Sequence, residues 1–232
     1  MEDALILAIE TSGKTGGIAL FQNKLLGSIS LISFQSYSKI LFKTLPYLLE
    51  LLQIPLEKID YYAIDIGPGS FTGLRIGFSV LKALNMVHPR PVIGISSLEV
   101  LTMNYFKSDV PLACLIDAYT KEVFFANYKW EEDKLEVLYP PKCIPYKEIP
   151  QIIKEKTLFL SENLEKWDKY LEKNLNTFYI KPKIPCDLNP AKLAKLAYLK
   201  LKKHSVEFQK AEDILPFYLK ASEAERKFSK IK

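Results

Sequence analysis

The stretch Asp65-Ile-Gly-Pro-Gly-Ser-Phe-Thr-Gly-Leu-Arg-Ile-Gly77 decides the fold of this chain, because it joins a buried strand to a long helix. Residues 61–66, at its start, are mostly apolar or aromatic and largely good strand formers. Apolar residues at helical spacing predict a helix over 71–87. The turn between them needs glycine, since Gly67 and Gly69 can take backbone angles closed to other residues and Pro68 fixes its own φ.

This turn and the start of its helix form what we call the glycine loop. Its defining residues are Gly67, Pro68, Gly69, Ser70, Thr72, Gly73 and Gly77. The last three glycines of the stretch fall four positions apart, which leaves one helix face almost bare. Another backbone can therefore approach this face closely.

Three interpretations of the glycine loop are open: a phosphate site, a tight turn that closes a strand on a helix, and a protein contact. Glycine N–H groups at a helix N-terminus suit an anion. However, the chain has no Walker spacing, and Thr72 stands where a dinucleotide fingerprint needs its third glycine. That fingerprint also needs an acid about 20 residues on, and none lies between Asp65 and Glu99. A phosphate site is thus the least favoured interpretation, and the tight turn and the protein contact are favoured equally.

Composition places the chain among ordinary globular proteins. Hydrophobic residues make up 48%, charged residues 25%, and the net charge of +5 is too weak to argue for nucleic acid. Three widely spaced cysteines favour reduced thiols and a cytoplasmic location. Two histidines make a histidine-based metal site improbable. We expect no membrane association, because neither a span of about 20 apolar residues nor a signal peptide is present.

The order of predicted elements repeats itself. Three antiparallel strands within 5–33 are followed by a helix over 37–53, the strand and helix described above, a strand over 92–95 and a helix reaching 105. A new set of strands begins at 111 and is again followed by helices and a strand. We therefore predict an α/β fold with mixed sheets flanked by helices. It divides into an N-terminal lobe, 1–108, with the glycine loop, and a degenerate C-terminal lobe, 109–232.

This duplicated βββαβα pattern is similar to the architecture of the actin, Hsp70 and sugar-kinase (ASKHA) superfamily, which binds ATP between its lobes. The helix over 37–53 is apolar on most sides, so it is buried either in a core or against a partner. We favour the partner.

Several motifs together resemble the bacterial TsaB (YeaZ) family, the dimerisation subunit of the tRNA threonylcarbamoyladenosine machinery. They are Ile6-Leu-Ala-Ile-Glu-Thr-Ser12, the glycine stretch, Gly94-Ile-Ser-Ser-Leu-Glu99, Ile116-Asp-Ala118 with Glu122-Val123, and Leu215-Pro-Phe-Tyr-Leu-Lys220. The resemblance is dense over residues 5–125. This chain departs from the family with Glu10 in place of the frequent aspartate and Tyr119 in place of the common arginine.

The resemblance implies a non-catalytic subunit with no cofactor of its own. Its expected partners are a TsaD-type catalytic homologue, which holds the metal and nucleotide, and a TsaE-type ATPase. The complex transfers a threonylcarbamoyl group to the adenosine 3′ of the anticodon. The chain is therefore expected to act on tRNA only indirectly, through the complex. Without its partner, the chain is expected to pair with a second copy.

The family's contact with the catalytic subunit uses the helix after the third strand and the helix after the glycine loop. The resemblance therefore implies an interface at Tyr37, Ile40, Leu41, Thr44, Leu45, Leu48, Phe71, Leu74, Arg75, Phe78 and Lys82.

A vestigial nucleotide cleft is expected at Glu10, Ser12, Gly13 and Asp117. All nine glycines lie at or before Gly94, so the turn after Asp117 cannot form a glycine-rich phosphate loop. Glu10 and Asp117 either hold Mg²⁺ across the cleft or are relics that cap strand ends, and we favour the relics. We predict no catalytic residue and no metal site. The alternative is a stand-alone ATP-dependent enzyme of the sugar-kinase superfamily.

Overall fold

A computed structural model of the chain describes residues 3–32, 37–119, 121–217 and 219, with side chains of 37–39 outside the description. It contains two mixed sheets flanked by helices. The first sheet has the strand order β11-β5-β4-β1-β2-β3. Its strands are β1 Ile6–Glu10, β2 Thr15–Phe21, β3 Leu25–Ile32, β4 Tyr61–Gly67, β5 Val92–Ser96 and β11 Phe208–Gln209.

The second sheet has the strand order β10-β9-β6-β7-β8. Its strands are β6 Leu112–Asp117, β7 Glu122–Glu131, β8 Lys134–Pro145, β9 Thr157–Leu160 and β10 Tyr179–Ile180. The helices are α1 Tyr37–Leu52, α2 Phe71–Val87, α3 Ser97–Thr102, α4 Ile149–Ile152, α5 Asp168–Leu175 and α6 Pro190–Lys202. Short 3-10 helices lie at Leu56–Lys58, Met103–Tyr105, Tyr146–Glu148, Leu164–Lys166 and Asn176–Phe178.

The two sheets repeat one arrangement, which confirms the predicted fold class. In each, three strands form an antiparallel meander, β1-β2-β3 and β6-β7-β8. The next strand then pairs in parallel with the first strand of the meander, β4 with β1 and β9 with β6. A further parallel strand follows on the outer side, β5 beside β4 and β10 beside β9.

Sequence signals at the helix ends agree with the structure. The side chain of Ser70 accepts a hydrogen bond from the N–H of Gly73 and caps α2. Ser96 and Glu99 form a capping box at the start of α3. Asn189 caps α6, whose first residue is Pro190.

The first sheet carries a hydrophobic core cluster on each of its two faces. One face packs against α1 and α2, and its cluster includes Leu7, Ile9 and Leu81. The other face packs against α3 and α6 and belongs to a cluster that also includes residues of β6 and β7. The outer face of the second sheet is covered by a third cluster with α5.

The last part of the chain returns to the first sheet. α6 packs against β1, β2 and β3, and β11 pairs with β5. The division at 108/109 stays a prediction, although the change from one sheet to the other falls between β5 and β6. Predicted features at Ser33, at Tyr218 and Lys220, and in the tail from Ser222 lie outside the described residues. Among the described helices, none has the length and apolar character needed to cross a bilayer.

Candidate functional site: the glycine loop and the cleft between the lobes

The glycine loop begins where β4 ends. Gly67 has a φ of 99°, in the left-handed region that favours glycine. The backbone N–H of Phe217 donates to the carbonyl of Ile66 at 2.7 Å, so a segment from the end of the chain closes over this turn.

The bare face of α2 packs against the turn that follows β1. A Cβ at Gly73 would lie 1.9 Å from the carbonyl oxygen of Thr11, and one at Gly77 would lie 2.4 Å from the Thr11 hydroxyl. A Cβ at Gly69 would lie 2.6 Å from the carbonyl oxygen of Ser12, which also accepts from the N–H of Ser70 at 2.8 Å. The backbone that approaches this face therefore belongs to the chain itself, which favours the tight-turn interpretation.

Two carboxyl groups are buried together at adjacent strand ends, Glu10 on β1 and Asp65 on β4. The Ser12 hydroxyl lies 2.7 Å from Glu10 Oε1 and 3.0 Å from Asp65 Oδ2. Asp65 Oδ1 accepts from the Ser97 hydroxyl at 2.5 Å and from the N–H of Gly67 at 2.7 Å. Glu10 Oε1 also accepts from the N–H of Ser12, whereas Glu10 Oε2 has no hydrogen-bond donor within the described part of the chain.

The surroundings raise the pKa of both carboxyl groups. For Glu10 the main cause is burial, followed by the nearby Asp65 charge, and the pKa lies well above its usual range. Burial also raises the pKa of Asp65, although hydrogen bonds from Glu10, Ser97, Gly67 and Ser12 oppose the shift. Both shifts favour the protonated form, so this pair takes up a proton more readily than two exposed carboxylates would.

Glu10 and Asp117, which the sequence offered either as an Mg²⁺ pair or as relics at strand ends, have different partners in the structure. Asp117 forms an ion pair with Lys166 at 2.5 Å and accepts from the N–H of Tyr119 at 2.9 Å. Glu10 is instead fully buried beside Asp65. Ile9 and Ile64 are register partners, so the acids that follow them lie side by side, and this register cannot be read from the local sequence. Over the described residues, no group of three or more metal-binding side chains is placed to hold an ion.

The expected nucleotide cleft is a small space of about 200 Å³ between the lobes. Residues 12–14 and 69–70 line it from one lobe, and residues 115–117, 119 and 161–163 from the other. Small-molecule sites are typically about 300 to 1,000 Å³, so this space is smaller than a typical one. Of the predicted cleft residues, the structure brings Ser12, Gly13 and Asp117 together here and leaves Glu10 behind them.

Sequence reasoning also missed Glu162, which follows β9 and enters the turn between β1 and β2. Its carboxylate accepts from the N–H of Lys14 at 3.2 Å and from the N–H of Leu188 at 3.3 Å. Burial is the largest influence on Glu162 and raises its pKa, against the lowering effect of these two hydrogen bonds. Nothing in the local sequence singles this glutamate out, because its donors lie far from it along the chain.

The predicted interface residues divide into buried and accessible groups. Buried side chains cannot contact a partner, which corrects the expectation for Leu41, Leu45, Leu48, Leu74 and Phe78. The physical reason is that four of these side chains belong to the chain's own core beneath α1 and α2, while Leu74 packs at the Gly67 turn. The accessible or half-buried members are Ile40, Thr44, Phe71, Arg75 and Lys82, while the side chain of Tyr37 lies outside the description.

Comparisons with known proteins place the chain in a family. The family model described as TsaD, tRNA N6-adenosine threonylcarbamoyltransferase, matches residues 27–228. The tRNA threonylcarbamoyladenosine biosynthesis protein TsaB of Haemophilus influenzae is 26% identical over 95% of each chain. The protein of the same name from Bacillus subtilis is 28% identical over 96% of this chain and 97% of its own.

Solved structures share the fold. A Pseudomonas aeruginosa protein described as similar to peptidase YEAZ superposes with a TM-score of 0.79 at 21% identity, covering 94% of this chain and all of that chain. YeaZ from the same organism gives a TM-score of 0.74 at 22% identity, over 93% of this chain and all of its own. Since the TsaD model covers most of the chain and both TsaB relatives align along nearly all of it, the chain belongs to the TsaB (YeaZ) family of tRNA threonylcarbamoyladenosine biosynthesis proteins, within the broader family that the TsaD model describes.

Proposed function

We propose that the chain is a non-catalytic scaffold subunit in tRNA threonylcarbamoyladenosine synthesis. It pairs with a TsaD-type catalytic homologue and, in the same assembly, with a TsaE-type ATPase, and the complex modifies the adenosine 3′ of the anticodon. The TsaB relatives support this part of the proposal, because their names describe a role in tRNA threonylcarbamoyladenosine biosynthesis. The observation that carries the scaffold role is a stripe of accessible side chains on α1.

We call this surface the α1 stripe, and it consists of Ile40, Thr44, Tyr47 and Leu51. The intervals of four, three and four positions place these residues on one side of the helix. Tyr47 is 59% exposed and Leu51 is 65% exposed, while Ile40 and Thr44 are half-buried. An aromatic and two aliphatic side chains in one exposed row are typical of an interaction surface.

α2 adds a row of accessible or half-buried side chains beside its buried side. Phe71, Arg75 and Lys82 follow one another at helical spacing, and the Arg75 guanidinium lies 4.0 Å from the centre of the Phe71 ring. Arginine and aromatic residues are enriched at protein interfaces. α1 and α2 contact each other, so both surfaces belong to one helical layer of the N-terminal lobe.

The cleft supports a role without chemistry. Its volume of about 200 Å³ and the carboxylate of Glu162 beside Gly13 leave little room for a triphosphate. The carboxyl pair of Glu10 and Asp65 is buried away from it. A stand-alone ATP-dependent enzyme is the second candidate, and micromolar Mg-ATP binding with turnover by the isolated chain would favour it.

The pairing test compares two surfaces of the same helix. Tyr47→Glu combined with Leu51→Glu is expected to abolish co-purification with the TsaD-type subunit, because central interface residues each contribute about 2 kcal/mol or more. The matched control is Phe42→Glu, which replaces a side chain that is 56% exposed. Phe42 lies about 140° around the helix from Tyr47, since each residue advances about 100°.

The functional readout is threonylcarbamoylation of tRNA by the catalytic subunit with wild-type chain, the double variant, the control or no addition. We expect activity with the wild type and Phe42→Glu and loss with the double variant. Pairing that survives in the double variant would place the interface elsewhere, and modification that needs no added chain would refute the scaffold role. Sedimentation of the chain alone tests whether the same stripe pairs two copies, because the double variant would then be monomeric.

A further inference from the structure

We propose that a groove between the end of α2 and the edge strand β11 binds an extended acidic segment of a partner protein, which adds to the first sheet as a further strand. The groove encloses about 850 Å³, and its lining residues are different from those of the cleft between the lobes. The inference goes beyond the scaffold role, because it assigns a second contact surface with a chemistry of its own.

β11 offers an open edge to another strand. In the described part of the chain, β11 is the terminal strand of the first sheet, so Phe208 and Gln209 pair only with Ile93 and Val92 of β5. The outward backbone groups of a terminal strand form a template for pairing with another chain. In strand addition of this kind, main-chain hydrogen bonds supply affinity and alternate side chains enter neighbouring pockets.

The groove beside this edge has apolar walls. Met86, on the last turn of α2, is 85% exposed, and Phe208 is 49% exposed on the opposite side. The Phe208 ring stacks on Tyr61 with centroids 5.3 Å apart, which holds β11 in place. Pro89 and Pro91 extend the apolar lining. Because a methionine side chain adapts its shape to its neighbours, these walls suit aliphatic side chains along one side of an extended segment.

The charges at the groove determine the sign of the ligand. Lys82, Arg90 and Lys210 line it together with one acid, Glu212, which lies 3.9 Å from Lys210. The guanidinium of Arg90 donates to backbone carbonyl oxygens at 2.6 to 3.3 Å, and these neutral acceptors leave its charge uncancelled. Three cations against one acid give charge complementarity to an acidic segment and repel a basic one.

A nucleic acid would also satisfy the charge, but the edge of β11 favours a protein. A strand edge presents carbonyl acceptors as well as N–H donors. A row of phosphates accepts hydrogen bonds and cannot pair with the carbonyls, whereas a peptide main chain pairs with both groups. The volume of about 850 Å³ lies in the range of about 300 to 1,000 Å³ that is typical of binding sites.

The experiment titrates a blocked hexapeptide of alternating glutamate and valine into the isotope-labelled full-length chain and follows the shifts by NMR. We expect saturable shifts at the backbone amides of Gln209 and Lys210 and at the methyl group of Met86. A peptide of the same length with alternating lysine and valine should cause none of these shifts. Absence of saturable shifts with the acidic peptide would overturn the proposal.

Two N-methylated versions of the acidic peptide test the strand addition itself. Each version is methylated at one of the two alternate sets of amides. Methylation of one set should abolish binding and methylation of the other should preserve it, because a strand pairs with one neighbour through every second residue. Equal effects of the two versions would contradict strand addition.

A charge reversal locates the binding site. Lys210→Glu is expected to weaken binding of the acidic peptide about tenfold or more, since it replaces an attraction at the groove with a repulsion. The matched control is Lys154→Glu, which makes the same change of charge at an exposed position after α4 and should bind as wild type. Equal affinities of the two variants would place the peptide elsewhere.

A final titration with an oligouridylate tests the alternative ligand. Saturable shifts at Gln209 and Lys210 with the RNA but not with the acidic peptide would overturn the assignment to a protein. These outcomes are independent of the scaffold role. If the wild-type chain fails to support tRNA modification, the scaffold role fails while the shifts still decide what the groove binds.

Discussion

The carboxyl groups of Glu10 and Asp65 lie on either side of one hydroxyl group, that of Ser12, which is 2.7 Å from the first and 3.0 Å from the second. A hydroxyl carries a single proton and cannot donate to both acceptors at once. Two ionised carboxylates at this separation in a buried site repel each other strongly. A proton bound by either acid relieves this repulsion, and this gives the β1 and β4 ends a dependence on pH.

We expect the folded chain to lose stability as pH rises toward neutrality. Both pKa values are raised in the folded state, so between the unfolded and folded values the folded chain binds more protons than the unfolded chain. The free energy of unfolding then falls with increasing pH. Glu10→Gln removes one charge and keeps a donor toward Asp65, so it should flatten this fall and be at least as stable as wild type near neutral pH.

Urea unfolding between about pH 5 and pH 8 measures the effect. Glu136→Gln, at an exposed position on β8, is the control and should retain the wild-type slope. A slope in Glu10→Gln that matches wild type would show that the pair releases no proton over this range.

The contact between α2 and Thr11 predicts a specific pattern of rescue. Gly77→Ala places its Cβ 2.4 Å from the Thr11 hydroxyl, with the next atom at 3.7 Å, so Thr11→Ala should relieve the clash. Gly73→Ala meets the Thr11 backbone carbonyl at 1.9 Å, which no change of side chain removes. We expect each glycine variant to lose about 1 to 3 kcal/mol of unfolding free energy, with Gly73→Ala at or above the upper end.

A double-mutant cycle in urea tests this pattern. The coupling energy between Thr11→Ala and Gly77→Ala should be favourable, and that between Thr11→Ala and Gly73→Ala close to zero. Thr72→Ala, at an exposed position of α2, is the control. Equal rescue of both glycine variants would contradict the packing described here.

Core and surface positions of α1 should respond differently to truncation. Leu45→Ala removes a buried side chain and is expected to cost about 2 to 5 kcal/mol. Tyr47→Ala, two positions away on the exposed side, should change stability by no more than about 0.5 kcal/mol. Charged residues at Leu41, Leu45 or Leu74 would therefore unfold the chain and cannot test pairing.

Thermal unfolding of the two alanine variants measures the difference. A large loss of stability in Tyr47→Ala together with a small loss in Leu45→Ala would mean that α1 is rotated relative to the structure.

Millimolar Mg²⁺ is expected to leave the unfolding midpoint of the isolated chain unchanged. Glu10 is buried beside Asp65, and Asp117 is paired with Lys166, so the two strand-end acids do not face one ion. Asp117→Asn should cost no more than about 1 kcal/mol, since the ion pair is partly exposed to solvent. An unfolding midpoint that rises with Mg²⁺ in wild type but not in Asp117→Asn would show that Asp117 takes part in binding the cation.

Local sequence patterns predicted much of the fold because they depend on neighbouring residues. The bounds of α2 and the repeated order of strands and helices follow from hydrophobic periodicity and turn residues. The glycine spacing also indicated that a backbone approaches α2 closely, without indicating which one.

Tertiary structure decided everything that depends on strand order and on the direction in which helices face. Because β1 lies beside β4, Glu10 meets Asp65 rather than Asp117, and Thr11 fills the glycine face of α2. Because the apolar side of α1 is broader than its contact with the sheet, burial selects Leu45 for the core and leaves Tyr47 for the surface. The sequence by itself determined most of the elements, their duplication and the family resemblance. The short edge strands β10 and β11 and the partners of each side chain were set by contacts between residues distant along the chain, which no local pattern encodes.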